Sequence, residues 1–163
     1  MLQVVDNFFT KKIHEEVKTF CKQGLTFAPS FTKGKNYYGL RSSLYKTDLT
    51  KCFTDTAKHK LKINITKVHR ESGIDIRDLE NFIPHIDPYS SLNLFVMIQG
   101  DKAANNGIVF YDKKEIDMHI GFKENRAVLF SSDIIHSPNI YPKKNIKRIT
   151  STLFITEYDF IID

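Results

Sequence analysis

The sequence predicts an α+β chain that is mainly β: a sandwich or barrel of antiparallel strands behind two N-terminal helices. Three observations predict it. Apolar residues recur at helical spacing in two segments before Lys60, and at a period of two after it. Turn-forming residues cut the later part into short segments. Hydrophobic content of 41% and aromatic content of 12% are enough for a core, and 163 residues is the length of one ordinary domain.

The first helix is expected over 10–23, TKKIHEEVKTFCKQ, with Ile13, Val17, Phe20 and Cys21 on one face and Gly24 as its stop. Residues 27–45, FAPSFTKGKNYYGLRSSLY, are rich in Gly, Ser and aromatics and read as loop plus short strand. The second helix opens at the capping residue Thr47 and places Leu49, Cys52, Phe53 and Thr56 on one face. Strands are then expected at LKINITKV (61–68), SLNLFVMIQ (91–99), GIVFYD (107–112), IDMHI (116–120), RAVLFS (126–131) and RITSTLFI (148–155). Gly100-Asp101, Asn105-Asn106-Gly107, Lys123-Glu124-Asn125 and Pro138-Asn139 with Pro142 supply the turns. No repeat, linker or low-complexity tract interrupts this order. The organisation expected is one domain over 1–163, with a helical preamble and substrate-side loop in 1–60 and a barrel core in 61–163.

Composition narrows the function. No apolar run is long enough to span a membrane. The N-terminus MLQVVDNFFTKK lacks a basic segment followed by an apolar one, so no secretory signal is expected and a cytoplasmic site is. Cys21 and Cys52 do not make a disulfide framework and read as reduced, buried thiols. The net charge of +5 rests on scattered lysines, which argues against a nucleic-acid surface. Lysine, asparagine and isoleucine usage hints at an AT-rich microbial or viral genome.

One short stretch carries chemistry. PHIDPYSS (84–91) places His85 and Asp87 two apart, on one face of an extended chain at about 6.6 Å between Cα atoms. His136 follows at the end of a strand-like run in FSSDIIHSPN, and Arg148 opens the last apolar strand. Two imidazoles and one carboxylate on one side of a metal leave three coordination positions open, which suits a non-haem Fe(II) oxygenase. An arginine on a neighbouring strand would anchor a dicarboxylate through paired hydrogen bonds.

PHID, NNGIVFYD, GFKENRAVLFSSDIIHSPN and KRITSTLFI, in that order, resemble the 2-oxoglutarate- and Fe(II)-dependent dioxygenases, and within them the prolyl-hydroxylase-like branch. The resemblance covers residues 82–156. Arg41-Ser42-Ser43 also resembles the Arg-Thr-Ser strand that precedes the barrel in prolyl hydroxylases. It implies a double-stranded β-helix, a jelly-roll core flanked by N-terminal helices. It implies His85, Asp87 and His136 as iron ligands, Arg148 as partner of the distal carboxylate of 2-oxoglutarate, and Thr150 as a hydroxyl on the same strand face. Fe(II), 2-oxoglutarate and O2 are the cofactor and co-substrates implied, with ascorbate as a reductant and succinate and CO2 as products. Tyr37, Tyr38 and Arg41 are placed at a substrate entrance, with the alternative that the tyrosines pack a loop. Gly34 and Gly39 are expected to act as hinges of a flap over the iron. The tyrosine that the family often carries before His-x-Asp, where it touches 2-oxoglutarate, is missing from INITKVHRESGIDIRDLENF; His69 or a residue elsewhere is the expected replacement.

The prime substrate implied is a prolyl-like residue in a peptide; a free amino acid or small metabolite stays open beside it. Nucleobase oxidation is disfavoured because no arginine follows Arg148. A zinc hydrolase could use two His and an Asp, but the HExxH arrangement is absent. A cupin-like barrel would have a further histidine at Asp87, and a non-catalytic metal-binding barrel would have lost a ligand. Arg148 could also be a plain surface charge beside Lys147. His119 reads as a core or surface histidine, and His14 and His59 as residues of polar helix faces.

Overall fold

The structure, a computed structural model, describes residues 1–31, 37–77, 83–100, 106–139 and 148–162. Among them, α1 (Lys11–Gln23) and α2 (Asp48–Lys60) lie close to their expected positions. Thr10 caps α1 by accepting from the Ile13 N–H at 3.3 Å, and the Gly24 N–H closes it on Phe20 O. Thr47 caps α2 in the same way through the Thr50 N–H. Asp48 in the first turn and Lys58 and Lys60 in the last complement the helix dipole.

The buried faces differ from expectation at a few positions. In α1 the buried residues are His14, Val17 and Cys21, while Phe20 is exposed. His14 is therefore not on a polar face: its Nε2–H donates to the carbonyl of Ile98 at 2.8 Å and fastens the helix to the sheet. In α2 the buried stripe is Leu49, Phe53 and Ala57, with Cys52 and Thr56 half-buried beside it.

Eleven strands are seen among the described residues. They are β1 (Leu2–Val5), β2 (Ala28–Phe31), β3 (Tyr37–Ser43), β4 (Ile63–Val68), β5 (Gly73–Arg77), β6 (Leu92–Gln99), β7 (Gly107–Asp112), β8 (Glu115–Gly121), β9 (Arg126–Ser131), β10 (His136–Asn139) and β11 (Arg148–Phe160). Eight form one antiparallel sheet, ordered β1-β9-β6-β11-β5-β3-β2, with β4 also paired to β11; β10, β7 and β8 form a second, smaller sheet. Three strands of the large sheet come from the first sixty residues, so the expected preamble supplies part of the barrel wall. Pro138-Asn139, expected to turn, instead sits in β10, an edge strand, where a missing N–H is tolerated.

Both faces of β6 are covered, which is why LNLFVMIQ is apolar almost throughout. Leu94, Val96 and Ile98 pack with the helices, together with Ala127 and Leu129 of β9. Phe95 and Met97 point the other way, into a second cluster with Ile108, Phe110, Ile120, Phe122, Val128 and Phe130. That cluster is the barrel interior, so Val128 and Phe130, not Ala127 and Leu129, line it. Gly39 is no hinge: at φ 124° its missing Cβ is what lets β3 approach β5, since a Cβ would lie 2.2 Å from Ile76 O.

Candidate metal centre

Backbone pairing brings the two histidines together. His85 and His136 form an antiparallel bridge, with the His85 N–H donating to His136 O at 3.0 Å and the His136 N–H returning to His85 O at 2.9 Å. Residues directly opposite in such a pair project to the same face. The imidazoles consequently sit side by side, ring centroids 4.7 Å apart. Asp87, two residues along the extended chain, shares that face, and its N–H donates to Ser132 O at 3.0 Å. Ligand atoms of His85, Asp87 and His136 all lie within 4.8 Å of one another.

The donor set fits a divalent cation. Each Nδ1 lies 2.9 Å from a carbonyl oxygen, Ile83 O for His85 and Ile134 O for His136. A carbonyl only accepts, so each Nδ1 carries the hydrogen and each Nε2 faces inward. His136 Nε2 then lies 3.2 Å from Asp87 Oδ2, and His85 Nε2 3.9 Å from Asp87 Oδ1. Lone pairs set this close repel unless a proton or a metal ion sits among them, and a second shell that fixes the tautomer is what metal-bound histidines carry. Burial pushes the Asp87 carboxyl up. The adjacent rings of His136 and His85 and the amide of Asn93 outweigh burial and hold it below the ordinary aspartate value.

These ligands open onto a cavity of about 590 Å³. Phe95, Ile108 and Phe130 form its apolar wall; Arg41, Arg77, Thr150 and Thr152 stand on the polar one. Phe130 stacks edge-on against His136 at 4.8 Å and limits the freedom of that ring. Buried Asp75 organises the polar wall. It accepts two bonds from Arg41 Nη1, at 2.8 and 2.9 Å, and lies 3.4 Å from Arg77 Nη2. Arg41 also donates to Glu71 O.

Of the residues singled out in the sequence, His85, Asp87, His136, Arg41 and Thr150 meet at this cavity. Arg148 is not a surface charge. It has no exposed area and lies two positions from Thr150 on β11, beyond the residues that line the cavity. Its Nη1 donates to Asn106 Oδ1 at 2.9 Å and to Gly107 O at 2.8 Å. Burial lowers its pKa to about 9; the charge of Arg77 adds to this and Asp75 opposes it. Tyr37 and Tyr38 open β3, and their side chains, like Gly34, lie outside the described residues. His69 stacks on Tyr89 at 4.8 Å, and it is Tyr89, not His69, that reaches the cavity. His119 and His59 are exposed.

Sequence reasoning missed Asn93, Tyr89, Asp75 and Arg77. The amide in an otherwise apolar SLNLFVMIQ was a readable signal for the first. GIDIR, two charges in a short β-branched run, was a weaker one for the last two.

The chain matches no family model, and no curated protein matches it. Solved structures do match. The α-ketoglutarate-dependent non-heme epimerase SnoN from nogalamycin biosynthesis aligns over 99% of this chain and 81% of its own, at TM-score 0.66 and 9% identity. A prolyl-4-hydroxylase from Pseudomonas putida aligns over 96% and 92%, at TM-score 0.65 and 8% identity. An oxidoreductase of the 2OG-Fe(II) oxygenase family from Burkholderia pseudomallei aligns over 97% and 85%, at TM-score 0.66 and 12% identity. The chain has their fold. The double-stranded β-helix expected from the sequence is therefore present, and no helix among the described residues is long and apolar enough to cross a membrane.

Proposed function

We propose that the protein is a non-haem Fe(II) and 2-oxoglutarate-dependent dioxygenase that hydroxylates a prolyl-like residue of a peptide. The observation that carries this reading is the convergence of His85, Asp87 and His136, with both Nδ1 atoms tied back to carbonyls. When bound, Fe(II) supplies O2 activation coupled to decarboxylation of 2-oxoglutarate, giving succinate, CO2 and a hydroxylated product.

The chain's own residues hold, orient and exclude. His85, Asp87 and His136 would hold the ion from one side. Arg148 would take the distal carboxylate of 2-oxoglutarate: it lies just beyond the cavity, two positions along β11 from Thr150, which lines the cavity and would add a hydroxyl, and a desolvated guanidinium is stabilised by an arriving anion. Tyr89 provides a phenol in the cavity, where the usual tyrosine of the preceding strand is missing. Phe95, Ile108 and Phe130 keep water from the reacting centre.

The peptidyl substrate is supported by the Arg-Ser-Ser strand, whose Arg41 lines the cavity, and by the likeness to a prolyl-4-hydroxylase structure. A second reading, a small-metabolite oxygenase, is favoured by the likeness to SnoN, solved with Fe3+, α-ketoglutarate and a nogalamycin compound. Succinate release measured in parallel with proline-containing peptides, free amino acids and single-stranded oligonucleotides separates them. Peptide-dependent succinate that disappears in His136→Ala is the expected result. Turnover of free amino acids alone would sink the peptidyl reading. Failure of the metal-loaded protein to bind 2-oxoglutarate would sink the oxygenase reading and leave the hydrolase.

A further inference from the structure

Asn93 stands on the most apolar strand of the protein, opposite Phe130 on one side and Phe154 on the other. It has no exposed surface. A buried amide is costly unless both of its ends are hydrogen-bonded. Here both are: Nδ2 donates to Asp87 Oδ2 at 2.7 Å, and Oδ1 accepts from Ser90 Oγ at 2.9 Å. A carboxylate only accepts, which settles the orientation of the amide. Ser90 is held in turn, its carbonyl accepting from Ser132 Oγ, while Ser132 O accepts from the Asp87 N–H. The loop that carries Asp87 is thereby closed on itself through Asn93.

The two oxygens of Asp87 are not equivalent. Oδ2 is pinned by the short bond from Asn93. Among the described residues, the hydrogen-bond donor at Oδ1 is the Tyr89 phenol at 3.3 Å, a long contact for an O–H donor, with His85 Nε2 farther off at 3.9 Å. A carboxylate free to turn can chelate an ion through both oxygens and occupy a position that a co-substrate needs.

Resting on the metal centre proposed above, we propose that Asn93, oriented by Ser90, is the positioning residue for Asp87. It fixes the rotation of the carboxylate, so that Asp87 would offer a bound ion one oxygen rather than both. The choice of an amide at a site that packing alone would fill with Leu or Val follows from this role.

The test uses the whole chain, Mn(II) titration, the visible absorption of the Co(II)-loaded protein and the melting temperature of the metal-free form. Asn93→Leu keeps the branched shape of the side chain and removes the donor. Its Mn(II) affinity is expected to fall ten- to a hundredfold, on the order of other outer-shell losses, with a changed Co(II) band shape and little change in metal-free melting. Ser90→Ala should weaken Mn(II) binding in the same direction by less, and Ser90→Thr, which keeps the hydroxyl, should restore it. Mn(II) binding within twofold of the parent in Asn93→Leu, with an unaltered Co(II) spectrum, overturns the role of Asn93. Should Asn93→Leu fail to fold, the same result in Ser90→Ala overturns it. A parent protein that binds no Mn(II), or binds it unchanged in His136→Ala, refutes the metal centre and this proposal with it. Parent binding that depends on His136 but not on Asn93 refutes this proposal alone.

Discussion

Arg148→Met tests whether the buried guanidinium serves the co-substrate or the fold. Methionine keeps a similar length of chain and removes the charge. Two acceptors, Asn106 Oδ1 and Gly107 O, then lose a donor at 2.9 and 2.8 Å in a place without solvent. Each costs about 1–3 kcal/mol, so about 2–6 kcal/mol together. Against this stands the cost of holding the charge there. A pKa lowered from 12.5 to about 9 corresponds to about 5 kcal/mol of desolvation and repulsion that the variant no longer carries. The terms offset each other, and the unliganded variant should fall between about 3 kcal/mol more stable and about 1 kcal/mol less stable than the parent. Co-substrate binding has no such compensation. Losing a paired, charge-assisted contact weakens 2-oxoglutarate by about 1.5–3 kcal/mol, roughly ten- to a hundredfold. Calorimetric melting of the Mn(II) protein reads both quantities. At 2-oxoglutarate a hundredfold above the parental Kd, the parent gains about 2.7 kcal/mol and the variant about 0.4–1.4. At about 2–4 °C per kcal/mol, that is a shift of about 5–11 °C against about 1–6 °C. Arg148→Lys should recover only part of the difference. An equal shift in parent and Arg148→Met would refute the carboxylate role. A metal-free variant destabilised by more than about 4 kcal/mol would refute the cancellation and make Arg148 structural first.

Two further predictions concern the frame around the site. Asp6 accepts from Arg126 Nε at 2.7 Å and from Lys123 Nζ at 2.6 Å, and these partners hold its pKa at about 2 against an ordinary 3.8. A folded pKa below the unfolded one stabilises above about pH 4, and the gain is lost as pH falls from about 4 to about 2. With a third of the side chain exposed, screening leaves about 1 kcal/mol; urea unfolding of Asp6→Asn should show that loss near neutral pH and none near pH 2, and a constant difference at both would refute it. Burial pushes the Cys21 thiol up to about 11, so in a Cys52→Ser background native Cys21 should resist a disulfide reagent near pH 8 and react once unfolded; reaction of the native form at the rate of a free thiol would contradict its burial.

Much of the architecture was legible because its signals are local. The limits of both helices, of β7 and of β9 follow from period and capping within a few residues of chain. The strands that escaped, LQVV, GIDIR and HSPN, are short, and two of them are too polar for a period to stand out. The four-residue order of His85, Asp87, His136 and Arg148 was readable as well, since His-x-Asp on an extended chain already implies one face. Three things were decided only by tertiary structure. RAVLFS is apolar on both faces, and only the helices on one side and the small sheet on the other make Val128 and Phe130 the inner pair. His14 looked like a surface residue until the Ile98 carbonyl came within 2.8 Å of its ring. Asn93 acquired a partner only when β6 passed beneath the Asp87 loop. For β9 and His14 the deciding contacts join residues far apart in sequence; Asn93 and Asp87 are only six apart, but their bond forms only because the chain between them turns back on itself. Periodicity records which side of a strand is apolar, but the register of a long-range pair such as His85 and His136 sets what that side faces.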